Sequence, residues 1–298
     1  MPGTFNGTTL TISATPVDHA LIPDEGATNV AGIAIVGSDM YCVKTTGLKT
    51  TLLKTTDYMA TKATAVKKDL NWFALGLTKI GNYLYMLAED HKGYGGSTTI
   101  VKLDTKGNQL GTYSINEICP KGSLGITAAD GTNEKFIIMH YADKSNAGTL
   151  TFSVVDWKAA KAASTFTVTN SGFGYTTQLQ DIYYHTSFGL FILTNNTFST
   201  LQNRILVVDY HLTDDKGKKY TPCSVINVNK TGEYKQYNLE SICMKANHLV
   251  LASNVITSDG TAEDKFSVLE GITYSGKTYT FACVLEQEPV CYQSRSQL

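Results

Sequence analysis

Short apolar segments recur along the whole chain, and turn-forming Gly, Asn, Asp or Ser residues separate them. Short runs of this kind, rich in β-branched and aromatic residues, are typical of β-strands. The clearest segments open a unit that recurs five times, at Ala31–Gly37, Leu75–Gly81, Leu124–Asp130, Gln180–Thr186 and Glu240–Ala246. After a tight turn, a second and more hydrophobic strand begins at Met40, Tyr83, Phe136, Leu190 and Leu249.

Further strands extend each unit. Third strands begin at Thr50, Thr98, Thr149, Arg204 and Lys265, and fourth strands begin at Leu110, Ser164, Tyr220 and Thr278. Equivalent first-strand positions are Gly32, Gly76, Gly125, Asp181 and Ser241, spaced by 44, 49, 56 and 60 residues. This is the period of four-stranded propeller blades. We therefore predict an all-β chain that forms one β-propeller, with five blades on the direct count.

Two other architectures fit the strand pattern less well. A sixth blade could be assembled from the two termini, and a β-sandwich also has short strands at this spacing. Five copies in the same phase favour the five-bladed propeller. The prediction is one domain over residues 1–298, with blades that start near residues 29, 73, 122, 178 and 238. Residues 1–20, above all Thr8–Val17, are predicted to supply an outer strand that closes the ring and protects a sheet edge.

Composition narrows the function classes. The 298 residues are 42% hydrophobic and 17% charged, and 25 basic side chains oppose 26 acidic ones. A balanced charge gives no general attraction to nucleic acid, so we expect no nucleic-acid partner. No apolar run reaches the roughly 18 residues of a membrane helix, so we do not expect an integral membrane protein.

The six cysteines form no CxxC pair, and the six histidines form no HExxH motif. We therefore predict no metal site and no cofactor. A calcium loop using Asp259 and Asp264 is an alternative, although the full oxygen-ligand spacing is missing. Cys42, Cys243 and Cys283 lie in apolar strands, where buried free thiols are expected, and a Cys283–Cys291 disulfide is the other interpretation.

The loops predict which face binds a ligand. Those between second and third strands are long and polar, at Glu89–Ser97, Ala142–Gly148, Asn195–Asn203 and Ile256–Asp264, whereas the turns between first and second strands are tight. Long loops on one face mark a candidate binding surface. The predicted ligand-binding residues lie at the starts of the inner strands on that face: Asn29, Trp72, Phe73, Gln178, Gln180, Asp181, Asn238 and Glu240.

Amide and carboxylate groups next to aromatic rings suit hydroxyl-rich ligands, since they hydrogen-bond to neighbouring hydroxyls while a ring packs against sugar C–H groups. We therefore predict a non-catalytic, lectin-like propeller that binds a glycan or another cell-envelope component. A glycoside hydrolase that uses Asp181 and Glu240 is the first alternative, with Asp69 and Glu25 as further candidate carboxylates. A scaffold that binds other proteins is the second. The sequence does not predict an oligomeric state.

One segment also resembles a known family. Asn238-Leu239-Glu240-Ser241-Ile242, continued by His248–Ala252, is similar to the segments that open blades in helveticin-like bacteriocins, and Gln180–Tyr183 before Leu190–Leu193 looks like a second copy. The resemblance implies a secreted bacterial protein that acts at the envelope of another cell. We therefore expect a secreted or cell-surface location, with a leader outside this sequence, and a cytoplasmic location stays open because no signal peptide is visible.

Overall fold

The structure is a computed structural model. It describes the residues 10–14, 16–22, 29–56, 63–90, 97–120, 122–131, 133–140, 149–157, 159, 161–169, 178–186, 188–195, 201–212, 217–229, 234–245, 248–269, 272–274 and 277–279. These residues form β-strands joined by turns, and they include no helix that is long and apolar enough to cross a membrane.

The strands build five blades. The chain begins with β1 (Leu10–Ala14) and β2 (Val17–Ile22). The first blade contains β3 (Asn29–Val36), β4 (Asp39–Thr46), β5 (Lys49–Thr55) and β6 (Thr64–Leu70). The second blade contains β7 (Phe73–Ile80), β8 (Tyr83–Glu89), β9 (Thr98–Leu103) and β10 (Gln109–Ser114).

The third blade contains β11 (Ser123–Asp130), β12 (Lys135–His140), β13 (Thr149–Asp156) and β14 (Lys161–Thr169). The fourth contains β15 (Gln178–His185), β16 (Gly189–Asn195), β17 (Gln202–Val208) and β19 (Ser224–Asn229), while the two-residue β18 (Lys219–Tyr220) joins the edge of β14. The fifth contains β20 (Tyr234–Lys245), β21 (His248–Thr257) and β22 (Ala262–Leu269). A hairpin of β23 (Ile272–Tyr274) and β24 (Lys277–Tyr279) follows. The prediction of an all-β, five-bladed propeller is confirmed.

The described residues form five hydrophobic cores, and each core lies between two neighbouring blades. Phe191 and Leu239, for example, share the core between the fourth and fifth blades. The remaining four cores lie between blades three and four, five and one, one and two, and two and three. A single blade exposes both apolar faces, so burial requires its neighbours on both sides.

Two N-terminal strands share the role that the sequence assigned to a single closing strand. Strand β2 pairs antiparallel with β22 and becomes the outer strand of the fifth blade. Strand β1 instead pairs in parallel with β19 and extends the fourth blade. The described residues of the segment Thr8–Val17 are therefore divided between two sheets, and the fifth blade combines strands from the two ends of the described chain.

Three details of the strand assignment differ from the sequence prediction. Among the described residues, Thr278 lies in β24, which pairs with β23, while β2 occupies the edge of the fifth blade where the sequence placed a fourth strand from Thr278; residues 280–285 of that predicted strand lie outside the described residues. The first blade has a fourth strand, β6, whose mostly exposed residues give no apolar pattern. The segment Ile256–Asp264 is mainly strand rather than loop, since β21 extends to Thr257 and β22 begins at Ala262. Cys42 and Cys243 are buried free thiols, as predicted, while Cys283 and Cys291 lie outside the described residues.

Candidate functional site

A cavity of about 430 Å³ opens at the propeller axis, at the end where the inner strands begin. Its position follows from a feature that the five inner strands share. Each inner strand shifts its pairing register near its start, which leaves Ala31, Leu75, Leu124, Gln180 and Glu240 out of regular alignment with the second strand. A β-bulge bends the strand and redirects a side chain. All five of these residues line the cavity.

The cavity has an apolar wall and a polar wall. The first three blades contribute Ala31, Leu75 and Leu124, whereas the fourth and fifth contribute Gln180 and Glu240. More amide side chains join the polar wall from Gln236, Asn238 and Asn254, and Asn29 and Phe73 also line the cavity. A ligand with one apolar face and one hydroxyl-rich face would match both walls.

Glu240 is the one carboxylate among the described residues that line this cavity. Burial raises the pKa of its carboxyl well above the usual range, and the nearby Asp264 charge raises it further, while a hydrogen bond from Asn254 opposes the rise. The Asn254 side chain is oriented by the first blade, since its Oδ1 accepts a hydrogen bond from the Val30 amide at 3.2 Å. Its amide group is therefore free to donate to Glu240.

A buried ion pair lies behind Glu240. The Lys44 ammonium contacts the Asp264 carboxylate at 2.6 Å, and both side chains are inaccessible to solvent. Lys44 also donates to the carbonyl of Ile22 in the closing strand β2, at 3.3 Å. This pair connects the first blade, the fifth blade and the strand that closes the ring.

Asp181 lies on the axis and is fully buried. Its Oδ2 accepts hydrogen bonds from the Ser241 hydroxyl and from the Ile242 amide, and its Oδ1 accepts one from the Ile182 amide at 2.8 Å. The Ser241 hydroxyl in turn accepts a hydrogen bond from the Ile33 amide at 3.0 Å. Burial raises the pKa of Asp181 to about 8, although these hydrogen bonds oppose the rise.

Some of the predicted site residues line the axial cavity, and others do not. Asn29, Phe73, Gln180, Asn238 and Glu240 line the cavity, and Asp181 does not. Trp72 packs against the core between the first two blades, and its indole donates to Gln109 Oε1 at 3.0 Å. Gln178 begins β15, and the structure does not describe its side chain.

The other candidate carboxylates lie elsewhere. Asp69 is an exposed residue of the outer strand β6 that pairs with Lys49 at 3.1 Å, and Glu25 lies outside the described residues. Asp259 lies in an exposed turn and accepts hydrogen bonds from Thr257 and Thr261, while its predicted calcium partner Asp264 pairs with Lys44. The described part of the chain contains no cluster of three metal-binding side chains.

Gln236 and Asn254 are cavity residues that the sequence analysis missed. Gln236, Asn238 and Glu240 alternate along β20, so the two-residue period of a strand could have identified Gln236. Asn254 lies directly opposite Asn238 in the neighbouring strand, and its prediction would have required the pairing register.

Comparison with known proteins identifies the fold but assigns the chain to no family. No family model matches the chain, and no curated protein matches it. The helveticin-like resemblance therefore receives no support. Among solved structures, a glutaminyl cyclase from Myxococcus xanthus is 14% identical, with a TM-score of 0.57, over 90% of this chain and 99% of its own.

Two glycoside hydrolases resemble this chain about as much as the glutaminyl cyclase does. A GH43 β-xylosidase/α-arabinofuranosidase from a compost microbial metagenome has 11% identity and a TM-score of 0.55, over 89% of this chain and 98% of its own. A GH43_1 enzyme from Xanthomonas citri in complex with xylose has 12% identity and a TM-score of 0.54, over 85% and 90%. At these identities the shared property is the propeller fold.

Proposed function

We propose that the axial cavity binds a saccharide unit. The observation that carries this proposal is the division of the cavity into an apolar wall of Ala31, Leu75 and Leu124 and a polar wall that includes Gln180 and Glu240. A sugar ring has apolar C–H patches and a rim of hydroxyls, so it can satisfy both walls at once. The volume of about 430 Å³ lies in the range of small-ligand sites.

A carbohydrate-active enzyme is the second candidate, and one observation favours it. The raised pKa of Glu240 keeps its carboxyl protonated at a higher pH than an exposed glutamate, as a general acid for glycoside cleavage requires. The presence of GH43 enzymes among the similar folds supports this candidate. Asp181 is a poor partner for Glu240, because its oxygens already accept hydrogen bonds at the axis.

The test is a panel of neutral mono- and oligosaccharides, including xylose and xylotriose, measured by calorimetry and followed by analysis for cleavage products. Gln180→Ala should weaken binding about 3- to 10-fold, the usual value of one or two neutral hydrogen bonds. Gln109→Ala, which removes a glutamine side chain outside the cavity, is the matched control. Unchanged binding in Gln180→Ala would contradict the proposed cavity.

Glu240→Gln separates the two candidates. An enzyme would lose turnover of any cleaved saccharide at least 100-fold while binding persists, since glutamine cannot transfer a proton. A binding protein would show no products with either glutamate or glutamine at residue 240. Binding that is absent for the whole panel would argue against both candidates.

A further inference from the structure

A second cavity, of about 750 Å³, lies at the opposite end of the blades from the axial cavity. Strand β7 connects the two ends, because Phe73 lines the axial cavity and Ile80 lines the second one. Over eight residues a strand extends about 25 Å. The second cavity is lined by Asn82, Tyr83, Asn133, Glu134, Lys135 and Asp156, among others, and we refer to it as the Tyr83 groove.

Tyr83 gives the groove an accessible aromatic ring. The residue is 43% exposed, and it is one of three exposed large hydrophobic residues in the described part of the chain. The Lys102 ammonium lies 4.4 Å from the centre of its ring. Tyr85, two residues further along β8, is buried and packs against Phe136 and Trp157. This packing anchors the strand that carries Tyr83 to the core.

Glu134 gives the groove a carboxylate that is held in an unusual backbone conformation. Its φ is +48°, and it is one of two described non-glycine residues with a left-handed backbone. Such a conformation costs roughly 1–3 kcal/mol and is concentrated at functional sites. The carboxylate accepts hydrogen bonds from Lys102 and from the Tyr85 hydroxyl, and the Glu134 carbonyl accepts one from the Trp157 amide at 3.1 Å. The surrounding structure therefore keeps the carboxylate in one place.

The charges around the groove indicate that its ligand is uncharged. Glu134 and Asp156 carry negative charge, while Lys135 and the neighbouring Lys102 carry positive charge. This balance gives no net attraction to a phosphate or to an organic cation. The two exposed asparagines, Asn82 and Asn133, add amide groups to the lining. An accessible aromatic ring in a groove lined by amide and carboxylate groups is suited to a neutral, hydroxyl-rich ligand.

We propose that the Tyr83 groove is a second saccharide-binding site, independent of the axial cavity. One face of a sugar ring packs against Tyr83, and the asparagines and Asp156 hydrogen-bond to its hydroxyls. The protein then holds saccharide at both ends of its blades, and a chain bound in the groove stays near the axial cavity or links the protein to a glycan surface.

The experiment is calorimetry of the full chain with xylotriose, maltotriose and cellotriose, alongside hydrogen exchange of residues 81–85 and 133–136. We expect trisaccharide binding in the groove to protect these residues from exchange, and Tyr83→Ala should weaken the affinity of the groove at least ten-fold. Asn133→Ala should weaken it several-fold. Leu110→Ala, which truncates another exposed hydrophobic residue of the same blade, should leave it unchanged.

Axial-cavity variants separate this proposal from the preceding one. Gln180→Ala and Glu240→Gln should leave the groove event intact, whereas Tyr83→Ala should leave axial binding intact. The groove proposal is overturned if no trisaccharide protects residues 81–85 and 133–136, or if Tyr83→Ala binds like the original protein. Protection of residues 81–85 and 133–136 that is lost in Gln180→Ala or Glu240→Gln but persists in Tyr83→Ala would also overturn it.

Discussion

The Ser241 hydroxyl donates a hydrogen bond to the Asp181 carboxylate at the propeller axis, and so joins the fourth blade to the fifth. The same hydroxyl accepts a hydrogen bond from the Ile33 amide of the first blade. The equivalent positions in the first three blades are Gly32, Gly76 and Gly125, which have no polar side chain. One serine and one aspartate therefore supply the polar groups of this axial layer.

Removal of the Ser241 hydroxyl should destabilise the fold. Ser241→Ala leaves the buried Asp181 carboxyl group and the Ile33 amide each without one partner, so we expect a loss of about 2 kcal/mol in the free energy of unfolding. Ser224→Ala is the control, because Ser224 is buried and its hydroxyl has no hydrogen-bond partner in the described structure. Chemical denaturation should show a neutral or stabilising effect there. Equal losses in the two variants would contradict the axial role of Ser241.

The raised pKa of Asp181 should appear in the pH dependence of stability. A pKa of about 8 in the folded state, against 3.8 for an ordinary aspartate, means that folding favours the protonated carboxyl. The contribution of Asp181 to the free energy of unfolding is complete below about pH 4. It declines by roughly 1.4 kcal/mol per pH unit as the pH rises toward about 8. Asp181→Asn lacks this decline.

The measurement compares the unfolding free energy of the protein that retains Asp181 with that of the Asp181→Asn variant, from pH 4 to pH 9. Both proteins should carry Glu240→Gln, because the raised pKa of Glu240 acts in the same direction. We expect the protein with Asp181 to lose stability relative to Asp181→Asn as the pH rises, and the difference to level off above about pH 8. A difference that does not change with pH would show that Asp181 titrates normally.

The sequence predicted the architecture because the inner strands share one phase. Aligning Gly32, Gly76, Gly125, Asp181 and Ser241 also places Ala31, Leu75, Leu124, Gln180 and Glu240 in equivalent positions, and these residues line the cavity in the structure. The division of the N-terminus was not predictable in the same way. Strands β1 and β2 pair with partners more than 200 residues away, and local pattern carries no information about such pairings.

Asp181 shows where the sequence prediction of the site reached its limit. A carboxylate at the start of an inner strand resembles a cavity residue, but the irregular pairing in β15 spans both Gln180 and Asp181. Gln180 then lines the cavity, while Asp181 takes the axial position that glycine occupies in three other blades. Trp72 is another predicted site residue that does not line the cavity. Its indole instead donates to Gln109, which lies on the outer strand of the next blade.

Close approach of the inner strands explains one of these glycines. A Cβ atom at Gly32 would lie 2.4 Å from the Leu77 nitrogen and 2.7 Å from the Gly76 carbonyl carbon, both of which are backbone atoms of the second blade. Gly32→Ala should therefore force the first two blades apart and destabilise the fold by more than about 3 kcal/mol. Gly131→Ala is the control, since a Cβ there meets nothing within 4 Å. Thermal unfolding of both variants tests the difference, and a tolerated Gly32→Ala would show that the blades can separate easily.

The buried pair Lys44–Asp264 and the partly exposed pair Lys54–Asp39 have the same separation of 2.6 Å but differ in burial. Lys44→Met leaves the Asp264 carboxylate buried without this cation, so we expect a loss of about 3–5 kcal/mol. Lys54→Met should cost about 1 kcal/mol or less, because water screens the remaining Asp39 charge. Urea denaturation at pH 7 compares the two, and similar costs would mean that water reaches Asp264.

A double variant shows whether charge causes that loss. Lys44→Met combined with Asp264→Leu removes both charges, and its stability should recover most of what Lys44→Met loses. The Asp264 charge is also one cause of the raised pKa of Glu240, so Asp264→Asn should lower that pKa. NMR titration of the Glu240 carboxyl would measure the change. A pKa of Glu240 that does not change in Asp264→Asn would assign the whole rise to burial in the cavity wall.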